Sequence, residues 1–104
     1  MVRLYEQAIK KWGYALQIIM VIEECAELQK QCTKLLRLQD KVPHPQQLEF
    51  LAEEIADVEI MLEQLKEMFF SKNSLVEQFK AKKLIRLSLM FQEKPSVTVN
   101  KEGQ

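Results

Sequence analysis

The sequence predicts an all-α fold, an antiparallel bundle of about four helices that is completed by oligomerisation. The chain has 104 residues, of which only two are Gly and three are Pro, so long stretches contain no residue that breaks a helix. Within those stretches, apolar residues recur at spacings of three and four, as on one face of an amphipathic helix. A chain this short buries a modest fraction of its surface alone, so we expect a homodimer or homotetramer.

The first half of the chain predicts two helices, residues 2–11 and 14–38. The Trp12-Gly13 pair between them is a predicted joint, because Gly interrupts an otherwise helical pattern. The second helix carries apolar residues over an arc that is too wide for contact with one neighbour. We therefore expect it to be buried on more than one side, which again indicates an oligomer.

The second half predicts a helix over residues 46–70, after a loop with Pro43 and Pro45, and a last helix over residues 75–92. The last helix is expected to bury several apolar side chains, among them Leu75, Phe79, Leu84 and Leu87. Residues 93–104 are polar and are predicted to form a disordered tail. The folded domain is therefore predicted to span residues 1–92.

Charge and hydropathy argue against several classes of partner. The chain has fifteen basic and fifteen acidic residues, so we expect neither a nucleic-acid nor a membrane partner. No apolar run approaches the ~20 residues of a membrane span, and the N-terminus lacks the apolar run of a signal peptide. A cytoplasmic protein is the simplest interpretation.

Two pairs of acidic residues carry the strongest functional pattern. Glu24 and Glu27 lie three residues apart in the second predicted helix, and Glu54 and Asp57 repeat that spacing in the third. Residues three apart project from one face of a helix, so an antiparallel hairpin would bring the two pairs together. The negative charges of the two pairs would repel one another there unless a cation lay between them. Mg²⁺ prefers oxygen ligands and normally works with substrate phosphates, so the four acids are its predicted ligands, with Mn²⁺ as a substitute.

Two other interpretations of these acids stay open. The acids can form solvated helix faces, since Glu is common in helices, although both pairs lie among apolar residues. An iron carboxylate bundle would use Glu-x-x-His pairs from its helices. The single histidine, His44, lies between two prolines in a loop and is predicted to be exposed, so Mg²⁺ is favoured over iron.

The pattern Glu-Glu-x-x-Glu at residues 23–27, followed by Glu-x-x-Asp at residues 54–57, resembles the MazG-like all-α nucleoside triphosphate pyrophosphohydrolases. The resemblance spans about residues 8–87 and includes Trp12-Gly13 and Lys83-Leu84-Ile85-Arg86. It implies Mg²⁺-dependent cleavage of a nucleoside triphosphate between the α and β phosphates, which yields a monophosphate and pyrophosphate. Phosphoribosyl-ATP pyrophosphatase, which has a similar fold and acid pattern, is the nearest alternative. A non-catalytic helical interaction module is the alternative from another class.

The resemblance also implies roles for individual residues. The four acids fall on the metal ligands of that family, and the implied catalytic residues are Glu23, Glu24 and Glu27. Glu23 would orient a ligand or help to activate water. Lys83 and Arg86, one turn apart, would clamp phosphate oxygens. Gln17 would contact the base, on which Trp12 would stack.

Overall fold

A computed structural model describes residues 2–39 and 41–93 and confirms the all-α fold. These residues form three helices, α1 (Val2–Leu36), α2 (Pro45–Phe70) and α3 (Leu75–Glu93), with no strand among them. None of these helices combines the length and the apolar character that crossing a membrane requires. The chain divides into two units, the first containing α1 and α2 and the second containing α3. The predicted tail lies outside the described residues, except that its first residue, Glu93, ends α3.

α1 is kinked at Gly13, where the sequence predicts a joint. Gly13 has a φ of 85° and a ψ of 162°, in the positive-φ region that favours glycine because an L side chain would be strained there. The two helices predicted for this half of the chain therefore meet directly at the kink, without a loop between them. We call the residues before the kink, 2–12, the N-terminal segment of α1.

α1 and α2 pack against each other as an antiparallel pair. The hydroxyl of Tyr14, directly after the kink, donates a hydrogen bond of 3.4 Å to the carbonyl oxygen of Met68, near the end of α2. The ring of Tyr14 also meets the Phe69 ring edge-on, with the centroids 5.5 Å apart. Further along α1, Glu24 lies beside Glu54 in the first half of α2. Rising residue numbers in α1 therefore pair with falling numbers in α2.

The N-terminal segment of α1 turns back along α2. Its residues line a cavity together with Ile60 and Gln64, whereas Tyr14, directly after the kink, lies at Met68. A straight helix would carry the segment past the end of α2, because ten helical residues span about 15 Å. The kink at Gly13 thus brings the N-terminal segment beside the middle of α2.

The apolar core of the described chain is small. Its buried apolar side chains all belong to α2 and are Val58, Met61 and Met68. Four large apolar side chains of α2 lie seven residues apart and are 41–49% exposed: Leu48, Ile55, Leu62 and Phe69. Because residues seven apart lie on one helix face, these four form a continuous row, which we call the α2 stripe.

His44 forms the N-cap of α2. Its Nδ1 atom accepts a hydrogen bond of 3.1 Å from the amide of Gln46, and its own amide donates one of 2.9 Å to Oε1 of Gln47. Pro45 occupies the first helical position, where the missing amide hydrogen has no helical partner in any case. The predicted exposure of His44 is confirmed, and its structural role is that of a capping box.

α3 exposes the side chains that it was predicted to bury. Leu75, Phe79, Leu84 and Leu87 are 42–62% exposed. The prediction was wrong for the single chain because a spacing of three and four residues identifies an apolar helix face without identifying what covers it.

Candidate metal centre

Three carboxylates meet between the middle of α1 and the first half of α2. Glu24, Glu54 and Asp57 each offer an oxygen atom, and these three atoms lie within 4.8 Å of one another. Glu54 and Asp57 share a face of α2 because three residues cover most of a helical turn, and the antiparallel pairing brings Glu24 beside them. The predicted meeting of acids from two helices is therefore observed for these three residues, which we call the acidic triad.

The acidic triad contains an oxygen atom without a partner. Glu24 and Glu54 are half-buried, and Asp57 is exposed. The Oε1 atom of Glu54 is buried and has no hydrogen-bond partner. A buried carboxylate oxygen of this kind is unfavourable, because it has lost hydration without gaining another contact. A cation held among the three carboxylates would give that oxygen a partner.

Burial and mutual repulsion raise the pKa of two members of the triad. For Glu24, loss of hydration raises the pKa most, followed by the negative charges of Asp57 and Glu54. For Glu54, loss of hydration is again the largest cause of the raised pKa, followed by Asp57 and Glu27, whereas Lys30 lowers it. A bound cation would lower the pKa of both groups, because it favours the charged form of each carboxylate.

We expect cation binding to depend on pH through these two groups. Glu24 and Glu54 must lose their protons to bind a cation, so the affinity for Mn²⁺ should fall as the pH decreases through their raised pKa values, which lie above 4.5. Without a cation, the folded chain holds these protons more tightly than the unfolded chain. The free energy of unfolding should therefore decrease as the pH rises from 4.5 through the raised values.

The measurement is thermal unfolding over a series of pH values, with a chelator or with Mn²⁺. Glu54→Gln removes one of the two titrating groups and should flatten the pH dependence in the chelator series. Glu49→Gln, an exposed position on the same helix, is the matched control and should behave like the unaltered chain. Equal pH dependence for Glu54→Gln and the unaltered chain would contradict this account.

Glu27, the fourth predicted ligand, lies beside the triad. Its Oε2 atom pairs with Nζ of Lys30 at 3.4 Å, and its charge raises the pKa of both Glu24 and Glu54. It is not among the three carboxylates that converge within 4.8 Å, so ligation by Glu27 would require it to exchange Lys30 for the cation. Exposed pairs contribute only about 0.5 kcal/mol, so the exchange is inexpensive. Glu23 is exposed, and its charge also raises the pKa of Glu24.

The residues predicted to bind substrate lie in three different environments. Trp12 is 51% exposed and lines the cavity between the N-terminal segment of α1 and α2. Gln17 is buried, with 4% of its surface exposed. Lys83 and Arg86 are exposed on α3, which belongs to the second unit. Contact of any of them with a substrate stays a prediction.

Two residues near the site were missed by the sequence analysis. Lys30 places a positive charge near Glu54, and its three-residue spacing from Glu27 was the available signal. Gln64 is buried on the face of α2 that also buries Met61. A glutamine within an apolar pattern of three- and four-residue spacing was the signal in this second case.

Comparisons of this chain with protein-family models, with curated proteins and with solved structures found no significant match.

Proposed function

We propose that the chain is a cytoplasmic, Mg²⁺-dependent nucleoside triphosphate pyrophosphohydrolase whose acidic triad holds the ion. The observation that carries this proposal is the buried, unpartnered Oε1 of Glu54 beside the carboxylates of Glu24 and Asp57. A cation would offset the repulsion among the three groups and would give that oxygen a partner. The reaction itself follows from the resemblance to the MazG-like enzymes.

The donor set of the triad suits Mg²⁺ or Mn²⁺. All three donors are carboxylates, which are hard oxygen ligands, whereas zinc sites are typically built with imidazole or thiolate. Mg²⁺ takes octahedral coordination and usually keeps several waters when a few carboxylates hold it. Three protein ligands would therefore leave coordination positions for water and for phosphate oxygens.

In the proposed reaction, water attacks the α-phosphorus, the bond to the bridging oxygen breaks, and pyrophosphate leaves the nucleoside monophosphate. The ion would lower the pKa of water and offset the charge of the phosphate oxygens. Glu24, Glu54 and Asp57 would hold it in place. Glu23 and Glu27, at the edge of the triad, are the candidate acceptors for the proton that the water loses.

The test is incubation with each canonical and oxidised ribo- and deoxyribonucleoside triphosphate, and with phosphoribosyl-ATP, in the presence of Mg²⁺. We expect equal amounts of monophosphate and pyrophosphate from at least one triphosphate, and no product with a chelator. In heavy-oxygen water the label should enter the monophosphate, because the α-phosphorus is attacked. Turnover of phosphoribosyl-ATP alone would assign that reaction instead. Absence of product from every substrate would contradict the proposal.

A helical interaction module without catalysis is the second candidate, and the exposed α2 stripe is the observation that favours it. In such a module the acids would only keep the chain soluble. Calorimetry separates the two candidates, because the module should show no specific Mg²⁺ binding even with a non-hydrolysable nucleotide present.

We further propose that the chain forms a homodimer or homotetramer through the α2 stripe. The described chain buries three apolar side chains, which is little for a domain of this size. Residues seven apart are the positions through which long helices pack at a shallow angle. Two α1–α2 pairs that meet along this face would together form a bundle of four helices.

A further inference from the structure

Three basic side chains follow one face of α1 beyond the acidic triad. Lys30, Lys34 and Arg37 are spaced by four and three residues, which places them in a row about 10.5 Å long. Arg37 directly follows α1, and its amide still donates to the carbonyl of Thr33 at 3.2 Å, so it continues the helical row. The three side chains line a shallow pocket of about 320 Å³, which we call the basic pocket. Its described lining residues are Ala26, Gln29, Lys30, Thr33, Lys34 and Arg37.

The positive charges of the basic pocket are only partly compensated. Nζ of Lys30 pairs with Oε2 of Glu27 at 3.4 Å, whereas neither Lys34 nor Arg37 pairs with a carboxylate of the described chain. Like charges at this spacing on a helix repel one another. The carbonyl end of α1 contributes about half a negative charge near Lys34, which is too little to neutralise three cations. The basic pocket therefore favours a ligand with more than one negative charge.

A phosphate group matches the basic pocket in both charge and shape. The guanidinium of an arginine binds two phosphate oxygens at once, and a lysine adds a compact charge on a flexible stem. A single carboxylate would bring one charge and two oxygens, so it would leave part of the cationic row without a partner. Lys83 and Arg86, which the resemblance assigns to phosphate, belong to the second unit, so the basic pocket is a separate set of residues.

Lys30 connects the basic pocket to the acidic triad. It lines the pocket, it pairs with Glu27, and its charge lowers the pKa of Glu54. The charge of Glu27 in turn raises the pKa of Glu24 and Glu54, so Glu27 lies close enough to act on the triad. A phosphate group on Lys30 would compete with Glu27, because two negative groups at one ammonium repel each other. Glu27 would then be released beside the triad.

We propose that the basic pocket binds a phosphate group, and that its occupation releases Glu27 from Lys30 to become a fourth ligand of a cation at the acidic triad. Such a coupling is reciprocal, so the cation tightens the binding of the anion by the same factor. The pocket does not depend on the proposed function, whereas the coupling rests on the cation site of that function.

Calorimetry in the presence of a chelator tests the basic pocket without any metal. The full chain is titrated at constant ionic strength with sulfate, inorganic phosphate, pyrophosphate and glycerol phosphate. We expect saturable binding of each, tightest for pyrophosphate because it carries the most charge. Glycerol phosphate that binds as tightly as inorganic phosphate would indicate a phosphate ester as the ligand, and weaker binding would indicate a free anion. Absence of saturable sulfate and phosphate binding would overturn the proposal.

Substitutions in the basic pocket separate a specific site from a general effect of charge. Lys34→Gln and Arg37→Gln should each weaken the binding of sulfate by about fivefold or more, because each removes a charged hydrogen-bond donor. Lys41→Gln removes one exposed positive charge from the loop after α1 and is the matched control, with affinity within about twofold of the unaltered chain. Equal losses in all three variants would contradict a site at the basic pocket.

The coupling is tested by the affinity for Mn²⁺ with and without sulfate, which has the shape of phosphate and binds Mn²⁺ weakly in solution. Saturating sulfate should raise the Mn²⁺ affinity of the unaltered chain by about fivefold or more. Glu27→Gln should still bind sulfate, but its Mn²⁺ affinity should no longer respond. Glu23→Gln, an exposed acid on the same helix, is the matched control and should keep the response. A response that survives in Glu27→Gln would overturn the coupling, because attraction between the two ions would then suffice.

The two measurements also distinguish this proposal from the proposed function. Anion binding by a chain that binds no Mn²⁺ would support the basic pocket and contradict both the coupling and the proposed enzyme. Mn²⁺ binding that sulfate leaves unchanged in the unaltered chain would contradict the coupling and leave the proposed enzyme standing.

Discussion

Asp57→Asn is expected to abolish triphosphate hydrolysis while the helical circular dichroism of the chain persists. The substitution keeps the size of the side chain and removes one of the three charges of the acidic triad. A ligated ion contributes several kcal/mol to a phosphoryl transition state, and each 1.4 kcal/mol is a factor of about ten, so kcat/KM should fall on the order of 100-fold or more. Affinity for Mn²⁺ should fall in parallel, because the ion loses a negatively charged ligand.

Without a cation, Asp57→Asn should not lower the free energy of unfolding, although it lowers activity. The charge of Asp57 raises the pKa of both Glu24 and Glu54, which means that the three carboxylates repel one another in the folded chain. Removal of one charge should leave the fold unchanged or stabilise it by a few tenths of a kcal/mol. Mg²⁺ should then raise the Tm of the unaltered chain and leave that of Asp57→Asn nearly constant.

The control for this experiment is Glu59→Gln. Glu59 is exposed and lies two residues after Asp57, which turns it by about 200° to the other side of α2. Glu59→Gln removes one negative charge from the same helix without altering the triad, so turnover and Mn²⁺ affinity should stay within about twofold. Unchanged activity in Asp57→Asn would remove this residue from the site, and equal losses in both variants would show that only net charge matters.

Leu62→Glu, in the centre of the α2 stripe, is expected to convert the oligomer to a monomer. Leu62 is 43% exposed in the single chain, so a charge there costs little while the chain is alone. In an interface the same carboxylate would be buried without a partner, which costs about 3 kcal/mol or more, and the dissociation constant should rise more than about 100-fold.

Sedimentation and light scattering over a range of chain concentrations measure this effect. The unaltered chain should show a mass that increases with concentration, and its Tm should increase as well, because association stabilises the folded state. Val42→Glu is the matched control: Val42 is 89% exposed in the loop before α2, and the substitution should leave the mass unchanged. A monomeric unaltered chain, or an oligomeric Leu62→Glu variant, would contradict the role of the α2 stripe.

The helices themselves could be predicted from the sequence, because the residues that start and end a helix are its own neighbours in the chain. The third predicted helix, residues 46–70, differs from α2 by one residue, since Pro45 marks its start and the apolar pattern stops at its end. The joint at Gly13 was predicted for the same reason, because a glycine inside a helical pattern needs no distant partner to be recognised. His44 as a helix cap was missed, because its role depends on a ring nitrogen that accepts a backbone hydrogen bond.

Part of the acidic triad could also be predicted from residue spacing within a single helix. The spacing of Glu54 and Asp57 places them on one face of α2 wherever that helix lies, because three residues cover most of a turn. In α1, the same three-residue spacing places Glu24 and Glu27 on one face and does not show which of them joins the triad. The register of α1 against α2 distinguishes them, since it brings Glu24 into the triad and leaves Glu27 paired with Lys30.

The sequence by itself thus determined the all-α class, the limits of α2 and α3 to within one residue, and the presence of acidic faces on two helices. Only the tertiary structure decided which carboxylates converge, that Oε1 of Glu54 is buried without a partner, and that a cavity forms at Gln64. The physical reason is that periodicity and residue spacing describe one helix at a time. Burial, raised pKa values and cavities arise where two helices meet, and they depend on the register of α1 against α2 and on the direction of the kink at Gly13.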